Sequence, residues 1–123
     1  MEALRGFCTH CAASALLVCA WGELGASACF GGDINSLTVL SCPALSGISV
    51  VDSLGAGDSF VAGLIYTLVQ SGFTPDSHLR GKDQAEVVEK AVSFGCRVAG
   101  LKCTIFGYDG IRELVHSTES ATN

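Results

Sequence analysis

The stretch that most constrains this chain is Gly55-Ala56-Gly57-Asp58. It lies between an extended segment, Ile48-Ser49-Val50-Val51-Asp52, and an apolar helical pattern. Small residues at such a junction let the backbone approach a ligand closely. The first N–H groups of a helix have no partner within it, and the helix dipole adds positive potential there. Such a nest stabilises an anion, and a transferring phosphoryl group spreads its charge over its outer oxygens. Asp58 stands in the same turn, where a carboxylate can take the proton of an attacking hydroxyl. The plainer reading is a glycine-rich turn in which Asp58 only complements the dipole, and spacing alone leaves both open. A Walker A loop is excluded because no Gly-Lys-Ser/Thr follows, and the glycine spacing fits a Rossmann fingerprint poorly.

The rest of the chain organises around this junction. Residues 2–11 suit a short helix without an obvious cap. Residues 15–21 form a continuous apolar run, as expected of a central parallel strand. Gly22 and Gly25 break that run, residues 26–30 suit a short strand, and Gly31-Gly32-Asp33 reads as a turn. Residues 37–42 are a further candidate strand, stopped by Pro43. From Asp58 to Ser71 the pattern is helical and apolar nearly all round, which predicts a helix buried between layers. Gly72 closes it as a glycine beyond a helix end. After a polar loop, Asp83 with Glu86 three residues on predicts the cap of a second helix. Val88, Val92, Gly95 and Ala99 share one face of that helix, and Gly100 is expected to end it. Residues 103–106 suggest a short strand, and the polar tail at 117–123 suggests disorder.

Composition narrows the classes of partner. The 123 residues suit one domain, and 49% hydrophobic against 15% charged residues argues for a packed core. With a net charge of -5 and only 7 Lys and Arg, nucleic-acid binding has little support. No apolar run is long enough to span a bilayer. A signal-peptide reading takes Arg5 as a weak basic region and residues 12–20 as the apolar one, but Glu2 and Thr9-His10 oppose it. Seven irregularly spaced cysteines suggest reduced thiols in a cytoplasmic chain. Cys8-Thr9-His10-Cys11 is a Cys-x-x-Cys with no second pair to complete a zinc site, and no metal is expected. Cys19, Cys29, Cys42 and Cys103 read as small core residues. His10, His78 and His116 read as solvated, and Trp21 as either core or the wall of a pocket.

The run Asp52-Ser53-Leu54-Gly55-Ala56-Gly57-Asp58-Ser59-Phe60 resembles the signature of the ribokinase-like (PfkB) carbohydrate kinases, departing only in Ser53 for Thr. Two flanking segments look like those of the ketohexose kinases of that family. One is Leu16-Leu17-Val18-Cys19-Ala20-Trp21 with Gly22-Glu23-Leu24-Gly25-Ala26. The other is Phe94-Gly95-Cys96-Arg97-Val98-Ala99-Gly100-Leu101-Lys102-Cys103 with Gly107-Tyr108-Asp109-Gly110-Ile111. The likeness weakens between residues 29 and 49, where only Pro43 remains of a proline-rich approach. The resemblance implies an α/β fold, a Rossmann-like αβα sandwich of which residues 1–123 form the C-terminal, nucleotide-binding part. The N-terminal half and lid of the family are not in this chain.

The resemblance further implies ATP-dependent phosphorylation of the 1-hydroxyl of a ketohexose such as fructose, with Mg²⁺. Asp58 would be the base, and Gly55, Ala56 and Gly57 the anion hole. Gly22, Glu23, Leu24 and Gly25 would touch the nucleotide, and Cys96 would lie near the adenine. Two other readings stay open: an inactive chain with at most weak nucleotide binding, and a Cys-x-x-Cys metal or redox protein. Pairing of two copies is likewise left open.

Overall fold

The computed structural model describes residues 2–30, 39–73 and 82–120. Its elements are α1 (Glu2–Cys8), β1 (Leu16–Ala20), a 3₁₀ turn (Gly22–Leu24), β2 (Ala26–Phe30), β3 (Leu40–Cys42), α2 (Ala56–Gln70), α3 (Lys82–Lys102) and α4 (Ile111–Ser120). The expected turn at residues 31–33, the start of the third strand at 37–38 and the polar loop at 74–81 lie outside the described residues. So does the expected capping side chain of Asp83.

The three strands form one antiparallel sheet in the order β1-β2-β3. Leu16 faces Phe30 and Ala20 faces Ala26, while Ala26 also faces Cys42. Among the described residues, the strand in the apolar run at 15–21 therefore pairs antiparallel and on one side only, which corrects the expectation of a central parallel strand. The reason is the connection. A parallel crossover needs a dozen or more residues, and only residues 21–25 separate β1 from β2. They close a hairpin in which the Trp21 N–H donates to the Gly25 carbonyl (2.8 Å) and the Gly25 N–H to the Gly22 carbonyl (3.1 Å).

Alternation along β2 sends its side chains to two cores. Ala26 and Ala28 join Cys42, Phe60, Val88, Val92 and Cys96 beneath α2 and α3. Cys29 joins Leu4 and Cys8 beneath α1. The sheet thus has helices on both faces. Ser27 is buried, and its hydroxyl is satisfied by that of Ser41 directly opposite, at 3.0 Å. The Cys8 and Cys29 sulfurs are brought together between α1 and β2. Cys8 thus faces Cys29 rather than Cys11, and Cys11 keeps a free thiol.

Helix α2 packs on α3 through small residues. A Cβ on Gly63 would stand 3.1 Å from the Gly95 Cα, and one on Gly95 would stand 2.9 Å from the Phe60 carbonyl oxygen. The opposite side of α2 was expected to be buried and is not: Val61, Ile65 and Val69 are exposed. The helix ends as expected. Gly72 takes φ 66°, its N–H donates to the Val69 carbonyl, and the Phe73 N–H donates to the Leu68 carbonyl, both at 3.0 Å. These two bonds make a Schellman motif.

Gly100 does not end α3, which runs on to Lys102. The glycine instead makes room for Leu45, whose side chain a Cβ would strike. The expected strand at 103–106 is a set of turns. It meets residues 51–52 at one point, where the N–H groups of Val51 and Asp52 both donate to the Cys103 carbonyl, at 2.8 and 3.2 Å. The polar C-terminal stretch is helical through Ser120.

The end of α3 holds the approach to the glycine loop. Lys102 is fully buried. Its Nζ donates to Asp52 Oδ2 at 2.9 Å and to the Asp52 main-chain carbonyl at 3.0 Å. Asp52 Oδ1 accepts the Leu54 N–H at 3.0 Å, and Oδ2 accepts the Gly107 N–H at 3.1 Å. The Lys102 hydrogen bond first, then the two N–H groups, lower the Asp52 carboxyl from 3.8 to about 2.

Two outcomes follow from this packing. Gly95→Ala should destabilise the fold: overpacking costs roughly 1–3 kcal/mol, against a helix-propensity gain of about 1 kcal/mol. Gly6→Ala in α1, where a Cβ meets open space, should be neutral or stabilising, and urea melts of both variants check the contrast. The depressed Asp52 carboxyl contributes stability above about pH 4, lost as pH falls through about 2. Urea midpoints between pH 5 and pH 2 should therefore fall more steeply for the parent than for Asp52→Asn. Parallel curves would exclude Asp52 as a titrating contributor.

Candidate phosphate and base site

Helix α2 begins at Ala56, two residues before the expected start, and this places Gly57 and Asp58 in its first turn. Its N-cap is Gly55 at φ 79°, a left-handed conformation that glycine adopts at little cost. Most N-caps use a side-chain oxygen to accept the N–H of the second or third helical residue. Gly55 has no such oxygen. The Ala56 N–H is taken by the Ser53 carbonyl (3.1 Å) and the Ser59 N–H by the Gly55 carbonyl (3.0 Å). The N–H groups between them, on Gly57 and Asp58, make no turn or cap bond to the backbone of the described residues. A Cβ on Gly57 would meet nothing within 4 Å, so the flank of this first turn is open. Two uncapped donors at a helix N-terminus beside an open approach fit an anion such as a phosphate.

The loop is braced from outside. The Tyr108 hydroxyl donates to the Gly55 carbonyl at 3.4 Å, and its ring lies 5.6 Å from the Lys102 ammonium. A Cβ on Gly55 would run into the Tyr108 hydroxyl, so glycine is required there by space as well as by φ.

Asp58 is exposed and lines a cleft of about 680 Å³ between α2, α3 and α4. Ala62, Gly63, Phe94 and Val98 also line it, together with Tyr66, Tyr108, Ile111 and Val115. Arg112 and His116 are its other titratable side chains besides the two tyrosines. The rings of Tyr66 and Phe94 stand 5.9 Å apart. Arg97 fastens α4 beside this cleft by donating to the Val115 carbonyl at 2.9 Å and to the Thr118 hydroxyl. The size is that of a small-molecule pocket, with a mostly apolar wall and a few polar groups.

The residues expected on the nucleotide side lie apart from this cleft. Gly22, Glu23 and Leu24 form the exposed turn of the β1–β2 hairpin, and Gly25 abuts the backbone of Cys42, Pro43 and Ala44. Trp21, just before the turn, is exposed at its margin rather than buried in the core. Cys96 is buried in the main core with Cys42, and burial first, then Cys42, pushes its thiol up. Gly25 and Cys96 are thus linked through Cys42. A second cleft, of about 470 Å³, opens beside Cys42 and Pro43 against Glu86, Glu89, Lys90, Ser93 and Phe94. No group of three His, Cys, Asp or Glu suited to a metal occurs among the described residues. None of their helices is long and apolar enough to cross a membrane.

Sequence reasoning missed Lys102, Tyr108, Arg112 and Phe94. Lys102 carried a legible signal. The apolar face of α3 runs Val88, Val92, Gly95, Ala99 at steps of four, three and four, and the next step of three lands on Lys102. A lysine on a core stripe needs a buried partner. Phe94 reaches the site from α3 itself, next to Gly95 of its core face, while Tyr108 and Arg112 reach it through the turn at residues 103–110 and through α4, for which periodicity gave no position.

The description pfkB family carbohydrate kinase matches residues 12–110. Ketohexokinase of Mus musculus is 40% identical over 111 residues. That alignment covers 90% of this chain and 31% of the mouse protein, so the chain spans about a third of its relative. The matched residues include the uncapped glycine loop, Asp58 and the buried lysine that braces the approach to them, and the chain belongs to the pfkB family of carbohydrate kinases.

Proposed function

We propose that this chain carries the phosphate-binding loop and catalytic base of an ATP-dependent ketohexose kinase. The observation that supports it best is the first turn of α2, with two uncapped N–H groups and the exposed Asp58 carboxylate side by side. In this reading Gly57 and Asp58 donate their N–H groups to phosphate oxygens, and Gly55 and Ala56 shape the loop. The Asp58 carboxylate accepts the proton of the sugar hydroxyl as its oxygen attacks phosphorus. When bound, ATP supplies the transferable phosphoryl group. Mg²⁺ neutralises phosphate charge in such reactions, but these residues offer it no ligand set, and no step is assigned to it. The acceptor class, a ketohexose, rests on the name of the mouse relative, and the choice of fructose and its 1-hydroxyl rests on the family resemblance alone. Residues 22–25 and Cys96 are proposed nucleotide-side contacts through their link at Cys42, which also lines the 470 Å³ cleft.

A second reading has its own support, because the alignment spans only 31% of the mouse protein. Phosphoryl transfer depends mainly on positioning plus charge stabilisation. One base and one anion nest do not hold a sugar hydroxyl in line with phosphorus. The 123-residue chain by itself would then bind nucleotide at most weakly and transfer nothing.

Calorimetry with ATP tests the loop. Gly57→Val places a branched side chain in the open approach and should weaken binding at least tenfold, with circular dichroism unchanged. Asp58→Asn removes a negative charge near the phosphates and should bind no more weakly than the parent. Equal affinity in the Gly57→Val variant would move the phosphate site elsewhere. In any form that turns over, Asp58→Asn should lower kcat by roughly 10²-fold or more, the scale of general-base loss. ATP-dependent fructose phosphorylation by the 123-residue chain alone should not exceed the Asp58→Asn background. Robust turnover that vanishes in that variant would overturn the second reading.

A further inference from the structure

We propose that Lys102 is a positioning residue for the phosphate loop: from the end of α3, its buried ammonium fixes the backbone that enters residues 55–58. This rests on the phosphate-site reading above. Lys102 lies outside the cleft beside Asp58, so it acts through other groups.

The connection runs bond by bond. Lys102 Nζ holds both the side-chain and the main-chain oxygen of Asp52, at 2.9 and 3.0 Å. Gripping both oxygens of one residue fixes its side-chain torsions and its peptide plane together. The other carboxylate oxygen of Asp52 accepts the Leu54 N–H, which fixes the turn leading to Gly55. The oxygen shared with Lys102 also accepts the Gly107 N–H. That bond sets the start of the segment whose next residue, Tyr108, caps the Gly55 carbonyl and occupies the space of a missing Cβ. Gly55 is thus held from both sides in the left-handed conformation that leaves the Gly57 and Asp58 N–H groups uncapped. A neutral apolar residue at position 102 would fill the same volume without gripping Asp52. Buried ion pairs are weak sources of stability compared with apolar packing, and a specifying role is the better-attested reason to keep one.

The test uses the full 123-residue chain, inorganic triphosphate as the probe, and backbone amide NMR. Lys102→Met keeps the aliphatic stem and removes the charge. Triphosphate affinity should fall at least tenfold. The amide resonances of residues 54–59 should shift or broaden, while those of Ala91 and Val92 in the α3 core stay in place. A merely structural lysine would lower stability without this local pattern. If Lys102→Met does not fold, Asp52→Asn examines the same clamp, since it keeps the shape and one acceptor oxygen, and the same two readouts apply. Parent-like affinity and unchanged loop resonances in a folded variant would overturn the proposal and leave the phosphate site standing. If the parent itself does not bind triphosphate, the phosphate-site reading fails. The loop resonances alone then decide whether Lys102 sets the loop's conformation.

Discussion

The close crossing of α2 over α3 determines where every group at the site stands. It needs glycine on both helices: Gly63 faces the Gly95 Cα, and Gly95 lies against the carbonyl and ring of Phe60. Phe60 is two residues after Asp58, so the contact that anchors the core also sets the height of the first turn of α2. Asp58 is exposed on a helix whose adjacent turn is packed against Val88, Val92 and Cys96. A rigid footing under an open reactive group is what a positioned carboxylate requires.

Charge adds a second constraint at the other end of α3. Burying an ammonium is costly unless it is paired and hydrogen-bonded. Here one residue, Asp52, provides both the carboxylate and the carbonyl, and the tyrosine ring provides a third, weaker contact. The same carboxylate also receives two N–H groups from segments with no other regular structure, at Leu54 and Gly107. Two irregular loops are thereby ordered by one side chain. This explains how residues 48–52 and 103–107 meet without forming the strands that their composition suggests.

The parts of the fold legible in the sequence are those with strong local physics. The glycine loop, α2 and its Gly72 terminus, and the core face of α3 follow from turn chemistry and a period near 3.6. Strand pairing was less legible, because an apolar run reads alike at the centre of a sheet and at an antiparallel edge. The brevity of residues 21–25 was the available signal. Gly100 misled because a glycine that admits Leu45 looks the same in sequence as one that ends a helix. The meeting of Cys8 and Cys29 depends on β2 turning Cys29 toward α1, a tertiary fact that cysteine spacing does not encode. At the site, Asp58 and the glycines were legible as a motif. The Tyr108 brace and the aromatic wall of the cleft come from segments brought together only by folding.

The outward stripe of α2, Val61, Ile65 and Val69, extends about 12 Å at the rise of an α-helix and remains in water. Burying apolar surface is favourable by about 25 cal/mol per Å². Any species in solution that covers the stripe adds its own binding term to the folded state and raises apparent stability by mass action. A denaturation midpoint is therefore an intrinsic property of this chain only where it does not move on dilution. Any comparison of variants has meaning only at matched protein concentration.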